Sequence, residues 1–466
     1  MSTVLAILLL TLFQFIAGFG ITTLFKTKLP LALFLPLCLI TGVAVFSLAP
    51  FLLQLLYIPL SAVNVFTALF ITCIVLNVRL RRGIAALKGM LKNSRFTIKL
   101  YEVPCLAVIC IIVFISVWRC FYLPPTPRDL TSGAEVIAEY AVKEKTMINS
   151  VFTVNLESTN NQFKPPFIIS LQIIYKLAGL PFGQVWLSTI FISFVVFLYH
   201  ALSVTLHRVI SGLLIIAFIA IPEMYAYTFM VLFDYSNAVF FFLSIYFLIQ
   251  FFNSKQKNSA AFAGLLMGFA TYIRSETLVL AVLTAPAIAF YCLKNKTGLK
   301  TFLKNVAIFT LPSLIVYVFC VTVYLNHYLP VKYEVGNLIN PNLLNIKGFF
   351  TRFWDVNRLL IFSSNGTDYY GLFIYLFCLL LLLQLVFVRR FTGNARNWLF
   401  AVLVVYIGLP FLGFLLPLLD IDNSTKRGLF KIFPLMLLYF GNNNLLVSLS
   451  QKITQWEERR PEAAHA

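Results

Sequence analysis

Five short stretches of this sequence carry residue types able to do chemistry. In Phe121-Tyr-Leu-Pro-Pro-Thr-Pro-Arg-Asp129 a carboxylate follows an apolar run and a proline cluster. Prolines stiffen the exit from such a run, so Asp129 is a candidate to accept a proton from an attacking hydroxyl or amine, or to hold a cation. In Asn160-Asn-Gln-Phe-Lys164-Pro-Pro-Phe167 a lysine precedes a rigid Pro-Pro pair that opens a helical pattern. An ammonium beside the unpaired amides of a helix start suits an anion. Ile221-Pro-Glu223 and Phe233-Asp234-Tyr-Ser-Asn237 put two more carboxylates at one connection, and Thr271-Tyr-Ile-Arg274-Ser-Glu276-Thr277 sets a charge pair between two apolar runs. Ionisable groups at membrane depth are costly and usually functional or paired; simple neutralisation of Arg274 by Glu276 is the plainer alternative. Finally, Asn423-Ser-Thr-Lys426-Arg427 leads toward Pro434 with basic residues suited to phosphate, arginine by bidentate contact.

The elements that must position these residues are apolar helices. Of the 466 residues 60% are hydrophobic and 11% charged, with a mean hydropathy of +0.89. A soluble domain carries about 25% charged residues, which excludes a water-soluble globule. The pattern predicts an all-α polytopic membrane protein with about 13 spans. They lie near 3–24, 30–56, 59–78, 103–123, 183–206, 209–224, 236–252, 260–273, 277–293, 303–325, 368–388, 397–418 and 429–450. The net charge of +19 does not point to nucleic acid, because the basic residues sit in short loops between apolar runs. The eight cysteines lie in apolar runs or at their ends, with neither a disulfide framework nor a zinc spacing. Thr3 to Leu24 lacks a basic leader and a small-residue cleavage site, and reads as a retained span.

Alternating the spans puts Lys26, Arg79, Arg81, Arg82, Lys88, Lys92, Lys255, Lys300, Arg389 and Arg390 on one face, in loops almost without acids. The positive-inside rule makes that face cytoplasmic. Every acidic residue from Asp129 to Asp422 then falls outside; Glu102 and the tail residues Glu457, Glu458 and Glu462 are the exceptions. Chemistry is therefore expected on the outer face. Two outer segments, 124–182 and 327–367, exceed ordinary connections. The first contains two helical patterns, Ser132 to Lys145 with Glu135, Glu139 and Glu144 on its polar side, and Pro166 to Leu177. Both suit amphipathic helices lying along the membrane surface. The chain divides into three N-terminal spans with a basic loop (1–102), a core (103–450) and a cytoplasmic tail (451–466).

Taken in order, Asp129 after a span, Lys164-Pro165-Pro166 opening a helix that ends in Lys176-Leu-Ala-Gly179-Leu-Pro-Phe-Gly183, Pro222 to Asp234, Gly264-Leu-Leu-Met-Gly268-Phe-Ala-Thr-Tyr-Ile-Arg274-Ser-Glu276, and Arg427 ahead of Pro434 form an ordered set. That set resembles the GT-C fold glycosyltransferases that use polyprenyl-phosphate sugar donors, in the branch of the aminoarabinose transferases and protein O-mannosyltransferases. The resemblance covers roughly residues 103 to 445. It implies a GT-C-like helical core in the plasma (inner) membrane with its active site on the extracytoplasmic side. It implies transfer of a sugar from a polyprenyl-phosphate donor to a lipid, glycan or protein acceptor. Asp129 matches the acidic residue that activates the acceptor, and Lys164 the lysine that contacts the donor phosphate. Arg274 and Arg427 would surround the donor head group. Leu130 stands where many relatives have a second acidic residue, which argues against a two-carboxylate metal site. The spans before residue 103 precede the family's usual first helix, and the soluble C-terminal domain of some relatives is absent.

Displacement at the anomeric carbon of a sugar phosphate needs a base on the nucleophile's side and stabilised charge on the leaving phosphate. Asp129 supplies the first, Lys164 with arginine the second, so no metal or cofactor is required. Without a second carboxylate as covalent nucleophile the displacement is expected to invert. Glu135, Glu139, Glu223 and Asp234 are the rival bases, Asp234 the most serious; Glu276 and Lys426 are further candidates. A secondary transporter, or a lipid-linked polymer ligase or polymerase, is the alternative reading. A transporter would bind near the bilayer midplane between repeats, whereas here the charges gather at the outer rim and no repeat is seen.

Overall fold

A computed structural model of the chain describes residues 3–26, 29–93, 98–125, 133–154, 164–180, 183–296, 298–325, 339–342, 345–417 and 419–463. Among these there is no strand; the architecture is helical throughout. Among the described residues eight helices are long and apolar enough to cross a bilayer, or ten if each of two bent pairs counts as one span. Many of their residues stay exposed and apolar, among them Ile111 and Phe114, and Leu303, Leu311 and Leu314. Surface of that extent and composition belongs in lipid. The chain is an integral multi-pass membrane protein.

Each predicted span is met by a helix, but three are short. Ala62–Leu76, Arg208–Ile219 and Lys257–Ile273 have 15, 12 and 17 residues, against the roughly 20 that a hydrocarbon core asks of a straight helix. Two others are broken. Ser364–Tyr370 and Phe373–Val388 meet at 98°, around Gly371 with its φ of +59°, a left-handed conformation that glycine adopts without cost. Ile421–Asn442 and Asn444–Glu458 meet at 53°.

The chain forms two compact units. The first comprises 1–94, 115–194 and 227–338, so the expected division at 102/103 does not separate the N-terminal spans from the core. In it, helices α1 (Thr3–Leu24) and α2 (Leu31–Leu55) cross at glycine contacts: a Cβ on Gly18 would collide with the Cys38 carbonyl, and one on Gly42 with that of Gln14. Small residues let membrane helices approach this closely. After α3 (Ala62–Leu76) comes α4 (Leu80–Asn93), a helix where the sequence suggested only a basic loop. The second unit comprises 95–114, 195–226 and 339–466. Its last helix, Asn444–Ala463, continues unbroken into the expected tail as far as Ala463.

The two surface helices of the first outer segment need correction. α5 (Ala134–Glu144) buries Ala134, Ile137, Ala138 and Ala141 as expected, but Glu135 is buried with them. α6 (Phe167–Leu177) is enclosed by protein on all sides from Phe167 to Tyr175 and does not lie on a surface. Its Tyr175 hydroxyl accepts from Gln14 Nε2 of α1 at 3.0 Å.

Candidate functional site

Three helix ends of the first unit meet around one guanidinium. α7 (Phe233–Ser254) carries Asp234 in its first turn, α8 (Lys257–Ile273) ends at Arg274, and α9 (Thr277–Lys294) begins after Glu276. Each charge has the sign that its helix end favours, acids at the starts and the base at the finish. Arg274 Nη1 donates to Asp234 Oδ1, and its Nε faces Glu276 Oε1. Asn237, one turn into α7, donates to the Ala270 carbonyl at 2.6 Å and to Thr277 Oγ1 at 3.0 Å, so α7 is clamped to both neighbours. Arg274 and Asp234 are buried. The expectation that Arg274 faces the donor head group is therefore modified: its guanidinium is taken up by two carboxylates. The pairing with Glu276 is there, and Asp234 joins it.

A second cluster links α5 to α6. Lys176 Nζ lies 2.5 Å from Glu135 Oε1 and 3.0 Å from Glu139 Oε2, and Lys143 lies 3.1 Å from Glu139 Oε1. Gln172 Nε2 donates to Glu135 Oε2 at 2.9 Å while its carbonyl oxygen accepts from Trp186 Nε1 at 3.4 Å. Sequence reasoning did not single out Gln172 or Lys176 for this role. The signal was present, since Glu135 and Glu139 on one helix, and Gln172 and Lys176 on the next, share the four-residue spacing that aligns side chains on one face. Glu139 is the carboxylate of this cluster that reaches solvent. Its carboxyl is held below the usual range, first by the hydrogen bond from Lys176 and then by that from Lys143.

Lys164 is half-buried and precedes Pro165 and Pro166, both buried, with Pro166 at the cap of α6. The first-turn amides of a helix have no intrahelical acceptor, and Lys164 is the cation nearest them in the sequence. This helix start is fixed by aromatic contacts. The Phe167 ring packs edge-on against Tyr272 at 5.7 Å and against Phe240 of α7 at 6.3 Å, and Tyr272 donates to the Ser47 carbonyl at 3.0 Å. Tyr272 is two residues from Arg274, so the lysine-bearing segment and the arginine turn are neighbours.

Asp129 lies outside the described residues, as do Asn160 to Phe163. The chain leading to Asp129 is held where Gln184 Nε2 donates to the Leu123 carbonyl at 2.8 Å. Glu223, Lys426 and Arg427 belong to the second unit. Lys426 Nζ pairs with Glu223 Oε1 at 2.9 Å and sits 4.0 Å over the Tyr369 ring; Arg427 Nε donates to the Asn423 carbonyl at 3.0 Å. Among the described residues no group of three His, Cys, Asp or Glu is arranged to hold a metal ion.

In the second unit Lys99 pairs with Glu457 at 2.6 Å and Arg208 with Glu102 at 2.8 Å. No protein-family model, curated protein or solved structure matches the chain.

Proposed function

We propose that the protein is a membrane glycosyltransferase of the GT-C type. It transfers a sugar from a polyprenyl-phosphate donor to a lipid, glycan or protein acceptor on the extracytoplasmic face of the plasma membrane. The observation that carries this reading is the packing of Phe167, three residues after Lys164, on Tyr272 beside Arg274 and on Phe240 of the helix that begins at Asp234. Three segments of the family-like set thus come together at one end of the first unit.

In this mechanism Asp129 takes the proton of the acceptor hydroxyl or amine as that atom attacks the anomeric carbon. The bond from that carbon to the phosphate oxygen breaks on the opposite face, and the configuration inverts. Lys164 and the first-turn amides of α6 stabilise the charge that grows on the departing polyprenyl phosphate. Asp234, Glu135, Glu139 and Glu223 are each engaged by a cation, which counts against each of these four as the base. Arg274 acts by holding Asp234 and Glu276 in place.

The test is single-turnover transfer from a polyprenyl-phosphate sugar by purified variants. Asp129→Asn is expected to lower the rate by about 10²- to 10⁴-fold with donor binding retained, and Lys164→Ala to weaken donor binding more than Lys164→Arg. Normal turnover in Asp129→Asn with loss in Asp234→Asn would move the base to Asp234. Solute movement across sealed vesicles, with no donor consumed, would replace transfer by transport.

A further inference from the structure

We infer that α4 is an in-plane helix that binds anionic phospholipid headgroups at its end of the helix bundle. Between Asn77 and Tyr101 the chain has seven basic residues, Arg79, Arg81, Arg82, Lys88, Lys92, Arg95 and Lys99, and no acidic one. Four of them, Arg81, Arg82, Lys88 and Lys92, lie on the helix Leu80–Asn93. Leu80, Ile84, Leu87 and Leu91 fall within about 60° of one another at 3.6 residues per turn, and Arg81, Lys88 and Lys92 within about 40° on the adjoining flank. Leu80, Ile84 and Leu91 are exposed, as are Arg81, Lys88 and Lys92. Among the helix residues whose burial is described, only Gly83 is buried, against the Phe19 ring and Thr23 of α1.

The helix is thus fastened to the protein along one narrow line and presents an apolar stripe bordered by cations. That is the composition of a helix lying at the boundary between acyl chains and headgroups. Its depth is fixed independently. α4 starts four residues after the end of α3, whose Phe70, Ile71, Ile74 and Val75 are exposed and apolar. Asn77 between them is tied by its Nδ2 to the Ile16 carbonyl at 2.9 Å and to that of Cys73 at 2.8 Å. An acid-free cationic flank held at that level complements phosphodiester headgroups of net negative charge. An exposed leucine stripe would serve neither a nucleic acid nor a soluble acidic partner. The inference is independent of the proposed transfer reaction, and it gives the N-terminal spans a task.

The experiment supplies the purified full-length protein in detergent with equimolar phosphatidylglycerol and phosphatidylcholine, and reads the lipids retained by native mass spectrometry. The parent is expected to retain phosphatidylglycerol over phosphatidylcholine by about fivefold or more. Arg81→Gln/Lys88→Gln/Lys92→Gln is expected to bring the ratio close to one, with an unchanged elution profile. Lys294→Gln/Lys300→Gln/Lys304→Gln, an equal loss of charge elsewhere, is expected to keep the parental ratio. Equal ratios in the parent and the α4 variant would overturn the inference, as would an equal fall in the control variant. Retention of RNA by the parent, lost in the α4 variant while the lipid ratio stays put, would assign the helix to nucleic acid instead.

Discussion

The first unit contains two clusters in which one cation serves two carboxylates, and they are built differently. At Arg274 the partners come from three helix ends, and both carboxylates are shielded, with side-chain exposures of 2% for Asp234 and 13% for Glu276. At Lys176 the partners are two residues of one helix; Glu135 is 3% exposed and Glu139 is 46% exposed. A guanidinium offers several donors in a fixed fork, whereas an ammonium is a compact point charge that can be shared loosely. The arginine cluster therefore fixes the relative position of three helices at the end where Lys164 also lies. The lysine cluster fastens one loop helix onto another and keeps a carboxylate in contact with water.

The sharpest way to break this contrast is to remove each cation in turn. Arg274→Ala leaves two shielded carboxylates without their guanidinium, and the expected loss is about 3–5 kcal/mol. Its measure is the thermal midpoint and the monodisperse yield in detergent. Because the clamp from Asn237 to Ala270 and Thr277 depends on the same helix ends, proteolytic cleavage between residues 273 and 277 should accelerate as well. A variant as stable as the parent would mean that Arg274 does not hold the junction.

Lys176→Met is expected to cost less, about 2 kcal/mol. Glu135 keeps the hydrogen bond from Gln172 at 2.9 Å, and Glu139 keeps Lys143 at 3.1 Å or turns to solvent. Thermal melting of the two variants side by side decides the matter, since equal losses would erase the distinction between the clusters.

The contrast also shows what the sequence could and could not disclose. Apolar runs reveal their helices because each must bury its backbone polar groups internally in lipid. Arg274 and Glu276 were readable as a pair because they are two residues apart. Asp234 joins from 40 residues away, and which face of α7 turns toward α8 is decided by packing such as Phe240 against Phe269 at 5.8 Å. Glu135 was read as solvated because the alanine face of its helix looked sufficient for burial. Its burial follows from Lys176 and Gln172 on a helix whose apolar residues face every direction. α4 was hidden for the opposite reason: its cations mask the Leu80, Ile84, Leu87, Leu91 spacing in any average over the stretch.

The smallest effect separates the clusters by pH. Glu139 is the carboxylate held below its usual range, by Lys176 first and Lys143 second, while an unperturbed glutamate titrates near 4.3. With the folded value the lower one, the unfolded chain binds more protons in the interval between the two, and stability rises with pH there. The contribution is complete above the unfolded value and is lost as pH falls through the folded one. Since Glu139 is half exposed, solvent screening limits it to about 0.5 kcal/mol. The difference in thermal midpoint between the parent and Glu139→Gln should therefore be positive and constant from pH 7 down to about 5, then shrink toward zero with further acidification. Hydrogen exchange of the α5 amides should follow the same course, whereas the amides around Arg274 should be indifferent to the substitution. Midpoint curves that stay parallel into acid would show that the Lys176 cluster holds its helices by packing, with no share from the ionised Glu139.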